Sequence, residues 1–206
     1  MNRPGKIVCV GKNYQDHAKE MGGSVPKEPL IFQKPTSSLI RNGESIVLPP
    51  ETTHVEHEGE IGVIIGRKLR RVSPEETKGA VAQIVAINDV TARDLQRAEP
   101  QWTRGKGFDT FCPVGEPVDP PTDFSDVELI TRVNGEIKQH AKGSDMVFSI
   151  PVVLSYISQF MTLEPGDLVC TGTPAGVSKL SPGDEVEVEI VGLSRVKNPV
   201  IAEKRA

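Results

Sequence analysis

The hydrophobic residues of this chain are grouped in short runs, and polar, glycine-rich or proline-rich segments separate these runs. Short apolar runs bounded by turn residues are typical of β-strands. The sequence predicts strands at 6–10, 30–32, 45–48, 58–65, 86–90, 111–114, 128–133, 136–139, 185–190 and directly after the Pro-Gly-Asp turn at 165–167. Asn134-Gly135 separates two of these segments and predicts a tight hairpin. The pattern as a whole predicts a chain that is rich in β-structure.

Two segments have the signals of helices. Ser73-Pro74-Glu75-Glu76 combines a serine N-cap, a proline at the first helical position and a glutamate three residues after the cap. The helix predicted there would bury Ala80, Val81, Ile84 and Val85. A second helix is predicted to open at 149–151, with an apolar face formed by Val152, Val153, Tyr156, Ile157 and Phe160. The segment 91–110 predicts a loop with helical parts.

Length, charge and composition limit the possible classes of protein. With 206 residues, we expect a single α+β domain over 1–206 in which strands predominate. The net charge of −4 argues against nucleic acid or an anionic membrane as the main partner. The apolar run at 7–10 is too short for a signal peptide or a membrane span, and we expect a cytoplasmic protein.

The three cysteines are Cys9, Cys112 and Cys170, and no CxxC motif occurs. An odd number of scattered cysteines supports neither a disulfide framework nor a zinc cluster. Each cysteine is flanked by apolar residues, so we predict three reduced thiols in the core.

Glu58 and Glu60 flank Gly59 at the start of the apolar run 61–65. In a strand, alternate side chains point to one side, so the two carboxylates would lie together beside a buried sheet. Like charges in such a place repel each other, and a hard cation such as Mg²⁺, Mn²⁺ or Ca²⁺ would stabilise them. The alternative is an ordinary pair of glutamates on the solvent-exposed face of the strand.

Asp89 is the natural third partner of this pair. It lies inside the aliphatic segment 86–90, and buried carboxylates are usually paired or bound to a metal. In the alternative interpretation, Asp89 caps the turn that follows towards Thr91 and Ala92.

Three other features are suited to chemistry, although each also has a purely structural explanation. Lys106 lies between two glycines, so a ligand can approach it closely, but exposed loop lysines are common. His17 and Glu20 would share a helix face as a base and its orienting partner, or would be two polar residues on an exposed turn. The segment 171–173 offers backbone N–H groups and hydroxyls to a carboxylate, or is an ordinary turn.

Seven short motifs follow one another in a characteristic order. They are Gly11-x-Asn13-Tyr14-x-x-His17-x-x-Glu20, His57-Glu58-x-Glu60, Asn88-Asp89-Val90-Thr91-Ala92-Arg93-Asp94-x-Gln96, Lys106-Gly107-Phe108-Asp109, Asn134-Gly135, Phe148-Ser149-Ile150-Pro151 and Gly166-Asp167-x-x-x-Thr171-Gly172-Thr173-Pro174-x-Gly176-Val177. This set resembles the fumarylacetoacetate hydrolase family over nearly the whole chain. The short length resembles its single-domain branch, which includes acylpyruvases, oxaloacetate decarboxylases and the isomerase/decarboxylases of aromatic catabolism.

The resemblance implies a mixed β-sheet roll with short helices, assembled as a homodimer. It also implies that Mg²⁺ or Mn²⁺ is bound by Glu58, Glu60 and Asp89. The expected ligand is a small 2-oxo acid.

Further roles follow from the same resemblance. Lys106 would be a catalytic lysine, and His17 with Glu20 would activate water on a mobile lid at 12–30. The residues implied to hold the substrate are Arg93, Gln96, Gly172 and Thr173.

The implied chemistry passes through an enolate that the metal and nearby positive charges stabilise. Hydrolysis of the C3–C4 bond of an acylpyruvate, or decarboxylation of oxaloacetate, would both use that enolate. An isomerase or decarboxylase acting on dienoic 2-hydroxy acids is the alternative within the family. A non-catalytic module that binds a metal and a 2-oxo acid is the alternative from another class.

Overall fold

The structure is a computed structural model that describes residues 3–204. Its larger sheet has seven strands. In spatial order they are β2 (Leu30–Lys34), β1 (Ile7–Gly11), β12 (Leu168–Cys170), β6 (Gly59–Ile65), β7 (Val81–Asn88), β9 (Cys112–Val114) and β3 (Leu39–Arg41). Two of its strand pairs are parallel, β1 with β12 and β3 with β9, and the others are antiparallel. The sheet is therefore mixed.

The second sheet has five strands. In spatial order they are β11 (Glu136–Lys142), β10 (Glu128–Val133), β13 (Glu185–Ile190), β14 (Ser194–Ala202) and β4 (Ile46–Leu48). A small antiparallel pair joins β5 (Val55–Glu56) to β8 (Thr91–Ala92). The α-helices are α1 (Gln15–Glu20), α2 (Arg93–Ala98), α3 (Thr103–Lys106) and α4 (Ile150–Phe160), with 3₁₀ turns at Thr36–Ser38, Glu75–Thr77 and Gly143–Asp145.

The two sheets pack face to face. Ile61 and Ile84 of the larger sheet lie in one buried cluster with Leu129 and Val188 of the second sheet. Ile64 of β6 is three residues after Ile61, so its side chain points to the opposite face of the sheet, where it belongs to a different buried cluster. Both faces of the larger sheet are therefore buried around β6, and its strands are apolar on both sides.

The larger sheet also curls on itself. Cys170 of β12 and Cys112 of β9 are separated by two intervening strands, yet their side chains interact. Such a contact requires the sheet to bend until its face closes around a shared core, which Cys9 also lines. The expected β-rich fold with a rolled mixed sheet and short helices is confirmed.

The predicted helix after Ser73 was wrong. The capping box itself is present, because the N–H of Ser73 donates to Oε2 of Glu76 at 2.7 Å and the N–H of Glu76 donates to Oγ of Ser73 at 3.3 Å. The turn ends after Thr77, and Gly79 then adopts a φ of +70° that a continuing helix does not allow. The aliphatic residues from Val81 onward form β7, because a strand buried on both faces has the same continuous apolar run as a buried helix.

The helix predicted at 149–151 is present as α4, but its apolar face was only partly correct. Val153 and Ile157 are buried as predicted. Val152 is 38% exposed and Phe160 is 55% exposed. The buried stripe is Ile150, Val153, Leu154 and Ile157, which is the i, i+3, i+4, i+7 spacing of a single helix face.

Several local predictions are confirmed. The hairpin at Asn134-Gly135 has φ values of +53° and +81°, as a two-residue turn of this kind requires. The segment 91–110 contains two short helices, and the strands expected near 6–10, 30–32, 45–48, 111–114 and 185–190 are present. The longest helix has 11 residues, and among residues 3–204 no helix has the length and apolar character that crossing a membrane requires.

The three cysteines test the rolled core directly. All are buried and form no disulfide, as predicted. Burial raises the pKa of the Cys9 thiol to about 11, so at neutral pH it is protonated and a poor nucleophile.

We expect a thiol reagent to leave all three cysteines of the native protein unmodified and to react with all three in the urea-unfolded protein, as measured by intact mass. Rapid labelling of any one thiol before unfolding would contradict the closed core.

Candidate active site

The ends of two neighbouring strands bring three carboxylates together. Gly59, the first residue of β6, pairs with Asn88, the last residue of β7. The Asn88 side chain accepts a hydrogen bond from the N–H of Glu58 at 2.9 Å, and the N–H of Asp89 donates to the Glu58 carbonyl at 2.8 Å. Locked in this way, Glu58, Glu60 and Asp89 are all buried and offer oxygen atoms that lie within 4.8 Å of one another. Asp89 follows the strand rather than lying inside it, but its predicted partnership is present.

The second sheet presses directly on the start of β6. A Cβ atom added to Gly59 would lie 1.9 Å from Oγ1 of Thr131. The N–H of Gly59 also donates to Oε1 of Gln139 at 2.9 Å. Gly59 is therefore needed for close packing, and the packing holds Glu58 and Glu60 in place on either side.

Two buried lysines bind the carboxylates. Nζ of Lys106 donates to Oε2 of Glu58 and to Oδ2 of Asp89, both at 2.7 Å. Nζ of Lys34 donates to the other oxygen of Asp89 at 2.6 Å and to the Val90 carbonyl at 3.1 Å. The Asp89 carboxylate therefore lies between two ammonium groups, and neither lysine is exposed to solvent by more than 2% of its side chain.

An arginine completes the charged network. Arg93, the first residue of α2, is 1% exposed, and its guanidinium binds both Glu58 and Glu56. It also donates to the Gln96 side chain one turn later. Glu56 in turn accepts a hydrogen bond from Nε2 of His54 at 2.8 Å. Arg93 thus links the carboxylate cluster to the small β5–β8 pair and to α2.

Burial and charge separate the pKa values of the two neighbouring glutamates. Burial raises the pKa of Glu60 well above its ordinary value, and the negative charges of Asp89 and Glu58 add to the effect. Burial also acts to raise the pKa of Glu58, but the positive charges of Lys106 and Arg93 outweigh it and leave the pKa lowered. Glu60 is thus the carboxylate whose negative charge the surrounding lysines and arginine leave least compensated.

This arrangement fits a hard divalent cation. Carboxylate oxygens are the ligands that Mg²⁺ and Mn²⁺ prefer, and Glu58, Glu60 and Asp89 supply three of them in one buried place. Burial raises the pKa of Glu60, and repulsion from Asp89 and Glu58 adds to it; a bound cation would relieve that repulsion. The acidic triad predicted from the sequence is therefore confirmed as a group that can hold a metal ion.

The predicted pair of His17 and Glu20 forms on α1. Nδ1 of His17 lies 3.0 Å from Oε2 of Glu20, and the other Glu20 oxygen accepts the N–H of Gly176 at 3.0 Å. The strand end before α1 is anchored by Asn13, whose side chain donates to the carbonyls of Phe148 at 3.0 Å and Thr171 at 2.8 Å. The helix is therefore tied at both ends, and the mobility expected for 12–30 stays a prediction.

The segment 171–173 forms hydrogen bonds to Gly59 and Glu60. The N–H of Gly172 donates to Oε2 of Glu60 at 2.8 Å, so it binds a carboxylate of the protein itself. Oγ1 of Thr173 donates to the Gly59 carbonyl at 2.9 Å and accepts from Gln139 at 2.7 Å. Thr173 faces the cavity described below, whereas a role for Gly172 in holding substrate stays a prediction.

Sequence reasoning missed Lys34 and Glu56. Glu56 lies two residues before Glu58, so strand alternation already placed it on the same side. Lys34 is the charged last residue of the otherwise mostly apolar β2, which was a usable signal. Between these two glutamates, the His57 ring points away from the carboxylates and binds Gln139 at 3.2 Å and Ser178 at 2.9 Å.

The charged network opens into a cavity of about 180 Å³. Eight of the ten predicted site residues line it, and they are His17, Glu58, Glu60, Asp89, Arg93, Gln96, Lys106 and Thr173. The other lining residues are Val10, Gly11, Lys12, Met21, Phe32, Arg97 and Trp102. A larger groove of about 860 Å³ lies elsewhere, near 74–81 and 120–125, and contains none of the predicted site residues. The smaller cavity is therefore the candidate active site.

Comparison with known proteins identifies the family of this chain. The model of the fumarylacetoacetate (FAA) hydrolase C-terminal family matches residues 6–201. The mitochondrial oxaloacetate tautomerase of Caenorhabditis elegans is 44% identical over 188 residues, which are 88% of this chain and 88% of that protein. Protein Rv2993c of Mycobacterium tuberculosis is 46% identical over 199 residues, which are 95% of this chain and 75% of that protein.

Solved structures give the same result. The 2-hydroxyhepta-2,4-diene-1,7-dioate isomerase of Mycobacterium marinum matches with a TM-score of 0.90 and 41% identity, over 98% of this chain and 77% of that one. The 5-carboxymethyl-2-hydroxymuconate delta-isomerase of Mycobacterium smegmatis matches with a TM-score of 0.91 and 41% identity, over 98% and 81%. The chain belongs to the fumarylacetoacetate hydrolase family and is an enzyme of that family.

Proposed function

We propose that the protein is a divalent-metal-dependent enzyme that moves a proton on small 2-oxo acids through an enolate, as a tautomerase or isomerase. The observation that carries this proposal is the buried Glu58–Glu60–Asp89 triad, which shares one small cavity with Lys106 and His17. Relatives named for oxaloacetate tautomerisation and for the isomerisation of 2-hydroxydienoates support the same type of step. Because the chain is an enzyme of this family, the non-catalytic binding module is set aside.

In the proposed reaction, His17 removes a proton from C3 of the 2-oxo acid, and the electron pair of the C–H bond moves to form the C2–C3 double bond. The bond between Nδ1 of His17 and Glu20 leaves Nε2 as the basic atom. Returning the proton to the enolate oxygen or to another carbon completes tautomerisation or isomerisation. Glu20 orients the ring and stabilises it when it is protonated.

Negative charge develops on the C2 oxygen during this step. When Mg²⁺ or Mn²⁺ is bound by the triad, it supplies Lewis-acid stabilisation of that charge. The Lys106 ammonium, which lies 2.7 Å from both Glu58 and Asp89, supplies further positive charge beside them. The ring centroid of Phe32 lies 5.0 Å from Nζ of Lys106, so the ring stabilises that ammonium as a cation–π partner.

Cleavage of the C3–C4 bond is a second candidate activity. The same enolate forms when an acylpyruvate is hydrolysed or when oxaloacetate loses carbon dioxide. The observation that favours hydrolysis is the His17–Glu20 pair, since a histidine held in this way can deprotonate a water molecule. Decarboxylation needs no base, so the dependence on His17 separates these reactions.

The metal requirement is tested with Glu58→Gln and Asp89→Asn. Each substitution removes one anionic ligand while preserving shape, so we expect Mn²⁺ affinity by calorimetry to fall by more than about 100-fold and oxaloacetate tautomerisation to be lost. Glu164→Gln is the matched control, because Glu164 is half-exposed and its carboxylate forms an ion pair with Lys68 at 3.3 Å, away from the triad. Undiminished turnover of any variant in excess chelator would overturn the metal assignment.

The role of the base is tested with His17→Asn. We expect tautomerisation and acylpyruvate hydrolysis to fall by about 10²–10⁴-fold, the usual contribution of a general base, and decarboxylation of oxaloacetate to fall far less. Enol formation followed in the ultraviolet and carbon dioxide release measured in parallel provide the comparison. Equal losses in all three reactions would show that His17 has a structural role instead.

A further inference from the structure

The three cations around the carboxylate triad are already paired. Lys34, Lys106 and Arg93 each bind carboxylates of the protein, so their charges serve the triad first. Two further cations line the same cavity, Lys12 and Arg97. Neither forms an ion pair with any other residue in the part of the chain that the structure describes. In a protein with a net charge of −4, two unpaired cations at one cavity call for an anionic ligand.

Both cations lie on the solvent side of the cavity. Arg97 follows Arg93 by one turn of α2, which separates their Cβ atoms by about 5–6 Å along the same helix face. Arg93 is buried and binds Glu58, whereas Arg97 is exposed. At the end of β1, buried Val10 is followed two residues later by half-buried Lys12. The cavity thus begins at the carboxylate triad and ends at a pair of free positive charges.

The backbone of Lys12 supports a role in binding. Its φ is +56°, in the left-handed region that residues other than glycine rarely adopt. The next residue, Asn13, fixes this conformation through its hydrogen bonds to Phe148 and Thr171. The ammonium lies over the turn that follows α1, since a Cβ on Gly23 would be 3.2 Å from Nζ. A ligand bound by Lys12 would therefore also contact the turn that closes the helix of His17.

The wall between the two ends of the cavity is mainly apolar. Phe32 and Trp102 line it and pack edge to face, with ring centroids 5.2 Å apart. A ligand that satisfies all three regions has a polar head at the triad, a short carbon chain beside the rings and a second anion at the mouth. The cavity of about 180 Å³ is small beside the roughly 300–1,000 Å³ of pockets for drug-sized ligands.

We infer that Lys12 and Arg97 form a subsite for the far carboxylate of a dicarboxylic 2-oxo acid. The inference rests on the proposed function, which places the 2-oxo acid group at the triad, and extends it to the carboxylate at the other end of the substrate. It selects diacids such as oxaloacetate over acylpyruvates, whose far end is uncharged.

The experiment compares Lys12→Gln, Arg97→Gln and the double variant on two substrates that share a carbon skeleton, oxaloacetate and its 4-methyl ester. For the diacid we expect each single substitution to raise KM about tenfold with little change in kcat, and the double substitution to raise it further. For the ester we expect no change in KM from any of the three. Arg195→Gln is the control, because Arg195 lies on the second sheet, 64% exposed and paired with Glu187.

A binding measurement keeps this test separate from the test of the reaction. Difluoro-oxaloacetate has no proton on C3, and difluoro-oxobutanoate lacks the second carboxylate as well. With Mn²⁺ present, calorimetry on the variants should show weaker binding of the first compound by about tenfold and unchanged binding of the second. If the protein turns over neither substrate, the proposed function fails, and this binding comparison still decides the subsite. Equal effects on diacid and monoacid, or no effect on either, would overturn the subsite.

Discussion

Three carboxylates buried in one small volume repel one another, and much of the surrounding structure compensates for that repulsion. Lys106 bridges Glu58 and Asp89, Lys34 holds the second Asp89 oxygen, and Arg93 binds Glu58. Removing charges from water is costly, and their attraction repays the cost only when the geometry is well matched. The strands, the short helices and the sheet packing around the triad can be understood as what fixes this geometry.

The rolled sheet supplies the rigidity that the cluster needs. The start of β6 and the end of β7 are held together by backbone and side-chain hydrogen bonds, and the second sheet presses on Gly59 with almost no spare space. A site whose carboxylates sit on paired strands has little freedom to spread them apart. The strands therefore maintain a charge density that flexible loops would lose, and a bound cation gains from it.

Charge is arranged differently at the two ends of the cavity. At the deep end, Lys34, Lys106 and Arg93 pair with Asp89 and Glu58, and Glu60 accepts the backbone N–H of Gly172, so a bound cation would compensate the charge of Glu60. At the mouth, Lys12 and Arg97 have no protein partner among residues 3–204. We propose that the deep end stabilises an enolate and that the mouth selects the substrate, so the two functions lie at different ends of one cavity.

The sequence by itself determined the local features: the strand alternation that put Glu58 and Glu60 on one side, the Asn134-Gly135 hairpin, the His17–Glu20 spacing and the family motifs. Each of these features depends on residues that are close together in the sequence, so a short segment is enough to specify it. Only the tertiary structure decided that Val81–Asn88 is a strand, because pairing with β6 outweighed a complete capping box. It also decided which cations neutralise the triad, since Lys34 lies 55 residues from Asp89 and Lys106 lies 48 residues from Glu58. Such partnerships arise from the closure of the roll, which no short segment of sequence specifies.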